Sequence, residues 1–436
     1  MKTFSFLFWL SSFMINLVLR NVQMRKKCSF MIHPQVKTNI KIMWFANFFV
    51  SASMTMVLPF ISLYIETFGQ FSDAYIQRWS GWIFAITFVT AFIVAPIWGR
   101  IGDLYGKKKV LIISASGMAL CIFLLGFATS VWHLFYLRLF MGIFTGFIPL
   151  SQAFISTQTP KRMAGQVLGT LQTGSITGSL LGPLIGGALA DMVGFSSTFN
   201  WTSLAIFISA ILVIFTKEFQ INEVKKSEKQ NYTSKEVLKH ILTNPVLVTV
   251  LILSMLIQVA HFSIQPILSL YVSEIHGPEN LALYAGIAFS AAGVGNLMMS
   301  KTWGKLGDNY GYIKILMALL FLAGIVYFPG GFVTEMWQLI IIRFALGVTI
   351  GGIIPVRIAY IRQAAPIAMQ GEVLGYNTSL RFLGNVIGPV MGGMVAGAFG
   401  FTAVFITTSL LLIASGVILL VSVMKNPKYL KNSSTS

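Results

Sequence analysis

The chain repeats itself. Gly99-Arg100-Ile101-Gly102-Asp103-Leu104-Tyr105-Gly106 returns 205 positions later as Gly304-Lys305-Leu306-Gly307-Asp308-Asn309-Tyr310-Gly311. Arg138, Gly142 and Gly146 return at the same offset as Arg343, Gly347 and Gly351. Gly182-Pro183 with Gly186-Gly187 returns 206 positions later as Gly388-Pro389 with Gly392-Gly393, and Pro59-Phe60-Ile61-Ser62 returns 207 later as Pro266-Ile267-Leu268-Ser269. Four motifs in one order, nearly in register, require a duplicated architecture whose two halves fold alike.

The solvent for that architecture is lipid. Hydrophobic residues make up 56% of the chain and charged ones 10%, with a mean hydropathy of +0.78, whereas soluble domains are about a quarter charged. Runs over 43–65, 110–128 and 401–423 match the roughly 20 residues that cross about 30 Å of hydrocarbon. The fold class is therefore all-α integral membrane. Like halves in so apolar a chain are the mark of a membrane transporter.

The formal charge of +18 invites a nucleic-acid reading, but its placement opposes one. Basic residues cluster in alternate loops: Lys107–Lys109, Lys161-Arg162, 217–239, 301–314, Arg362 and 425–431, with Arg78 the clear exception between them. That is the positive-inside pattern, which places both ends of the repeated core in the cytoplasm of a cell membrane. Anionic membrane lipids account for the excess charge, so no nucleic acid is expected as a partner. Cys28 and Cys121 stand far apart, one in a basic stretch and one in an apolar run, so neither a disulfide framework nor a thiolate metal site is indicated.

Residues 1–41 have no counterpart in the second half. The apolar stretch 4–19 reads either as an uncleaved anchor or extra span, or as sequence ahead of a later start at Met24 or Met31. Twelve spans follow: 42–65, 80–98, 110–129, 133–155, 165–189 and 197–216, then 245–272, 282–303, 315–333, 336–358, 371–396 and 401–424. The domains are thus a first six-helix bundle over 42–216, a polar cytoplasmic linker over 217–244 with some helical pattern, a second bundle over 245–424, and a tail over 425–436.

Several motifs carry physical meaning. In the loop after the second span, Gly99, Gly102 and Gly106 permit a tight connection, and Asp103 sits among Arg100, Lys107, Lys108 and Lys109. An acid there can pair with a cation or a helix N-terminus; the alternative is an incidental acid in a basic loop, which its return as Gly304, Asp308 and Gly311 opposes. Arg138 lies inside the fourth span, where a cation normally faces the bundle interior; snorkelling outward is the alternative. Gly174, Gly178, Gly182 and Gly186 form a stripe at four-residue spacing that admits another backbone very closely. Pro183 beside it predicts a kink, and Gly187 extends the motif. In the seventh span Ser254, Gln258, His261 and Gln265 share one narrow arc, as do Asn47, Ser51 and Thr55 in the first. Polar groups avoid lipid, so these arcs are expected to face a central cavity, with Met54, Met56 and Phe262 as an adaptable apolar wall. Interhelical hydrogen bonding is the other reading. Arg357, Arg381 and Asn385 are further polar groups at depth, expected in the substrate cavity; for the two arginines, pairing with a helix end or a place nearer the cytoplasm is the alternative.

In their order and spacing, these motifs resemble the major facilitator superfamily, and within it the bacterial twelve-span drug:proton antiporters, over about 42–423. The resemblance implies two pseudo-symmetric six-helix bundles that rock about a central cavity. It implies export of small amphipathic molecules or drugs against protons, with no cofactor, by a monomer. It assigns the Gly99–Lys109 loop to a conformational latch, Arg138 to proton coupling, and the Gly174–Gly187 stripe to antiport, where a smooth helix suits a sliding contact between bundles. Symport, metabolite export and lipid flipping by the same fold remain alternatives.

One departure stands out. None of the thirteen acids falls deep inside a span, although many drug antiporters keep a membrane carboxylate as proton carrier. His261, the one histidine within a span, is the expected cavity proton site, with Asp103 and Arg138 as coupling partners. Such a cavity is expected to prefer neutral, zwitterionic or anionic amphiphiles over dications. An integral-membrane enzyme would need clustered acids and histidines, yet His33, His133, His240, His261 and His276 are scattered, and no phosphate-binding GxxxxGK[ST] element is present.

Overall fold

The computed structural model describes residues 34–159, 161–218, 233–366 and 369–426, without side-chain placement for Pro96, Gly99, Asp103, 161–166 and Ser234. Most of the N-terminal extension (1–33), the linker residues 219–232 and the tail beyond 426 lie outside the described residues. Every regular element described is helical.

The first crossing is two helices, α1 (Pro34–Met56) and α2 (Ile61–Glu66), where one was expected. Pro59 cannot donate to Thr55, and its ring crowds that carbonyl, so the helix breaks there. The seventh crossing repeats the break, with α10 (Pro245–Ser263) and α11 (Leu268–His276) separated at Pro266. The fourth divides into α5 (Val131–Ile143) and α6 (Phe147–Ser156), one turn before Pro149. The proline expected to kink its helix does not interrupt it: α7 runs from Lys161 to Val193 through Pro183. Between these lie α3 (Asp73–Tyr105), α4 (Lys107–Leu125) and α8 (Phe195–Ile214).

Within the expected linker, α9 (Ser234–Thr243) is set by a capping box in which Thr233 and Glu236 satisfy each other's backbone amides. The second half continues with α12 (Leu281–Tyr310), α13 (Tyr312–Tyr327), α14 (Met336–Ala364) and α15 (Gln370–Lys425). Gly400, at φ +80°, divides α15 into two crossings. Among the described residues ten stretches are long and apolar enough to cross a membrane; dividing the last at Gly400 and adding the broken first crossing gives twelve. Several helices run beyond the expected edges. α3 starts at Asp73 because Ser72 caps it by accepting from the Tyr75 amide, and it stops at Gly106, whose φ of +96° few other residues adopt.

The halves pack by the same rule. In the first, α1 lies on α7, α3 on α5 and α4 on α8; in the second, α10 lies on α15, α12 on α14, and α13 on the last crossing. Two hydrophobic cores result, one around Phe60, Phe147 and Phe154, the other around Leu316, Tyr327 and Leu346. The halves meet along two seams, α3 with α15 and α7 with α12.

Each seam is backbone on backbone. A Cβ on Gly81 would lie 2.4 Å from the Pro389 carbonyl oxygen, and one on Gly286 would lie 2.3 Å from that of Pro183. The same end is closed by side chains. Ser62 and Ser269 share a hydrogen bond of 2.7 Å between α2 and α11. The Asp191 carboxylate, at the end of α7, accepts from the Ala282 and Leu283 amides at 3.2 and 2.7 Å, capping α12. Phe88 meets Phe262 edge-on, and Phe92 meets Phe382 with centroids 6.5 Å apart. Further from this closed end, Gln172 and Thr173 on α7 and their repeats Thr378 and Ser379 on α15 are exposed. Polar side chains at matched positions of apolar crossings do not face lipid cheaply, so they mark a wet cleft between the halves that opens at the Gly106 end.

Candidate functional site

The glycine stripe does not face the other bundle. Cβ atoms on Gly174, Gly178, Gly182 and Gly186 would lie 2.7, 2.3, 2.4 and 2.0 Å from the carbonyl oxygens of Trp44, Phe48, Ala52 and Met56. The stripe therefore seats α7 on α1 within one half, which corrects the expectation of a sliding contact between halves. The flank of the motif reaches across: the Pro183 carbonyl meets Gly286, and a Cβ on Gly187 would lie 2.1 Å from the Ala282 carbonyl oxygen of α12.

The polar arc of the first span is consumed by the same packing. Thr55 donates to the Ser51 and Ala52 carbonyls, Ser51 is buried against Gly178, and the side-chain Oδ1 of Asn47 accepts from the Ser151 hydroxyl on α6 at 2.8 Å. The seventh-span arc divides. Ser254 donates to Asn377 on α15 at 2.7 Å, and Gln258 is buried beside Gly384. In this conformation Asn47 and Ser254 make hydrogen bonds between helices, the alternative reading for them, while Thr55 bonds within its own helix and Ser51 and Gln258 are buried against glycines of a neighbouring helix.

His261 and Gln265, one and two turns further along the arc, are half-buried, and Nδ1 of His261 and Oε1 of Gln265 have no hydrogen-bond partner. The charged groups acting on His261 are the guanidinium groups of Arg343 and Arg381. Arg343 is buried, donates from Nε to the Ala288 carbonyl at 3.2 Å and rests over the Phe289 ring. Tyr327 is wholly buried with an unpartnered hydroxyl. Arg381 is half-buried with Nε unpartnered, and Asn385, one turn on, has an unpartnered Oδ1. Arg357 is wholly buried, and Arg381 is the charged group acting on it. The centre of the second half therefore collects one histidine and three arginines.

Arg138 stands apart. It is buried in a tight pocket of Ser53, Met54, Val57, Ile122, Leu125 and Met141, with Nε and Nη2 unpartnered. It does not snorkel. Asp103 lies near the opposite, open end of α3, so Asp103, Arg138 and His261 are not brought together here. The turn carrying Lys107 is held instead by Glu218, whose carboxylate accepts from the Lys107 and Lys108 amides at 2.8 and 3.1 Å. Lys108 in turn donates to the Ile214 and Thr216 carbonyls at 2.7 Å each. In the second copy, Asp308 accepts from the Tyr312 hydroxyl at 2.5 Å, and Gly311 repeats the turn of Gly106 with φ +92°. Gly304 has open space around it.

Sequence reasoning passed over Glu218, Tyr327 and the central place of Arg343. The repeat of the Arg138 motif was the available signal for Arg343; the other two have none. A separate cavity of about 480 Å³, lined by Tyr75, Arg78, Trp79, Trp82, Trp132 and Phe135, opens at the rim of the closed end and holds none of the expected site residues. Among the described residues no cluster of histidine, cysteine and acids could hold a metal ion.

Comparison with known proteins agrees with this architecture. The family model of the Major Facilitator Superfamily matches residues 43–300 and 262–436. The chain is 51% identical over 393 residues to the Uncharacterized MFS-type transporter YuxJ of Bacillus subtilis (strain 168), covering 90% of this chain and 100% of that protein. It is 37% identical over 382 residues to Multidrug resistance protein MdtG of Enterobacter lignolyticus (strain SCF1), covering 87% and 91%. Among solved structures, a bacterial homolog of the human lysosomal transporter Spinster, in an inward-facing and occupied conformation, superposes with a TM-score of 0.76 at 12% identity, covering 91% and 98%.

Proposed function

The chain belongs to the Major Facilitator Superfamily, and on that premise we propose that it exports amphipathic small molecules, drugs among them, in exchange for protons. Membership makes it a multi-pass membrane transporter and not an enzyme. The reading of drug export is carried by one observation: the 37% identity to a multidrug resistance protein runs through nearly the whole length of both chains.

The geometry supports the transport cycle. The seams of α3 with α15 and of α7 with α12 act as pivots. The Ser62–Ser269 contact and the Asp191 cap hold one end shut while the cleft opens at the other. Lys107–Lys109, Lys217, Lys305 and Lys425 lie at the open end, so by the positive-inside rule that end faces the cytoplasm of the cell membrane, as do both ends of the twelve-span core. The bundles over 42–216 and 245–424 move as the two bodies of a monomer, joined by the linker over 217–244. Cargo enters the cleft between Arg381 and His261. Closing the cytoplasmic end brings the Asp103 loop against the other half as a latch, and Arg138 and His261 couple the return to a proton.

Proteoliposomes carrying a fluorescent amphiphile test this. An imposed proton gradient accelerates efflux in the wild type, and collapsing the gradient with an ionophore removes the acceleration. Efflux equal with and without the gradient overturns proton coupling. Membrane lipids serve as solvent in this scheme, not as cargo.

A further inference from the structure

Arg357 is an anomaly that the transport cycle does not use. It is the largest of the wholly buried side chains, and Nε, Nη1 and Nη2 all lack a hydrogen-bond partner. A buried cation is normally paired with a carboxylate or satisfied by several acceptors. Here the charged group acting on it is a second cation, Arg381. Arg381 in turn has a buried, unpartnered Nε and a partly accessible remainder. It stands one turn beyond Thr378, the exposed polar residue of the cleft wall, and one turn before Asn385, whose Oδ1 is also unpartnered.

Arg381 acts on Arg357, both keep donors unspent, and among the described residues no acid acts on either, so one shared anion stabilises the two together. Guanidinium forks match the two oxygens of a carboxylate, or two of a phosphate, through paired charge-assisted hydrogen bonds. The arrangement leaves a cationic or neutral group nothing to accept from these donors. Arg381 is partly accessible and Arg357 wholly buried, so an incoming anion engages the accessible guanidinium first.

We propose that Arg357 and Arg381 form a two-guanidinium receptor for an oxyanion, a carboxylate or phosphate group borne by the amphipathic cargo. The assignment rests on the transport reading above and narrows its substrate class from amphiphiles in general to anionic ones.

The test compares three molecules of one shape: 1-naphthylacetate, 1-naphthylacetamide and 2-(1-naphthyl)ethylammonium. Binding to the purified full chain is read from the shift in melting temperature across a concentration series. The wild type is expected to bind the carboxylate at least tenfold more tightly than the amide, with the ammonium weakest. Arg381→Gln and Arg357→Gln abolish that ratio while amide binding persists, and Arg381→Lys keeps part of it. If Arg357→Gln does not fold, the Arg381 pair decides alone. Equal binding of carboxylate and amide by the wild type, no stabilisation by the carboxylate, or a ratio surviving in Arg381→Gln overturns the proposal. So does stabilisation by inorganic phosphate or by anionic lipid in nanodiscs when naphthylacetate has no effect, since the anion is then not carried by cargo. Efflux measured in parallel separates the two readings. If the amide is driven out by a proton gradient without any carboxylate preference, transport stands and the receptor falls. If the carboxylate binds with the expected arginine dependence but none of the three moves, the receptor stands and export falls.

Discussion

Ser62 Oγ and Ser269 Oγ, both wholly buried, lie 2.7 Å apart across the interface of the two halves. They are the same position of the repeated Pro59 and Pro266 motif, so this hydrogen bond joins a residue to its own duplicate. Pro59 and Pro266 break their helices one turn earlier, so that both serines fall in the first turn of the short helices α2 and α11. Replacing both serines with cysteine, Ser62→Cys with Ser269→Cys, is expected to permit oxidative cross-linking in the membrane. Cross-linked protein loses transport and regains it with reductant. Undiminished efflux after complete cross-linking shows that the closed end need not open.

Gly186 and Gly169 lie on one helix in opposite circumstances. A Cβ on Gly186 would lie 2.0 Å from the Met56 carbonyl oxygen, whereas nothing lies within 4 Å of one on Gly169. Gly186→Ala is expected to destabilise by about 1–3 kcal/mol through overpacking, and Gly169→Ala to stay within about 0.5 kcal/mol of the wild type. Melting temperatures of the two variants, side by side, check this.

Glu218 caps α4 from 110 residues away, accepting from the Lys107 and Lys108 amides. Glu218→Gln weakens a charge at a helix N-terminus, an effect of about 0.3–1 kcal/mol when exposed. Hydrogen exchange at the amides of Lys107 and Lys108 is expected to quicken by about two- to five-fold, while exchange at the corresponding turn after Gly311 is unchanged.

Arg138 is buried among apolar side chains with two nitrogens unpartnered. Burying a cation without a partner does not stabilise a fold, and an apolar replacement of similar length is often neutral or better. Arg138→Met is expected to melt no earlier than the wild type yet lose gradient-driven efflux. A drop in melting temperature of the size expected for Gly186→Ala makes Arg138 a structural residue instead.

The crossings and their order are legible in the sequence because lipid demands long apolar helices and the duplication supplies each one twice. The breaks at Pro59 and Pro266 follow from a local rule, the missing amide, and were readable in principle from the prolines alone. What a stripe packs against is a different matter. Glycines at 174, 178, 182 and 186 say that a backbone comes close, but α1 and the opposing bundle satisfy that statement equally, and only the tertiary arrangement chooses α1. Ser51 and Thr55 were misplaced for the same reason, since a polar arc in a membrane helix serves a cavity or a helix contact without a sequence difference. Glu218 was invisible because its partners are distant in the chain.

The two seams also mirror each other. Gly81 approaches the Pro389 carbonyl and Gly286 approaches the Pro183 carbonyl, so the knob and the socket of each joint come from opposite copies of one motif. That reciprocity is the signature of a self-complementary surface, as in a two-fold dimer of identical subunits. Each half presents both parts of the joint to the other, so the covalent link between the halves serves as a tether for an interface that the pseudo-symmetry already supplies.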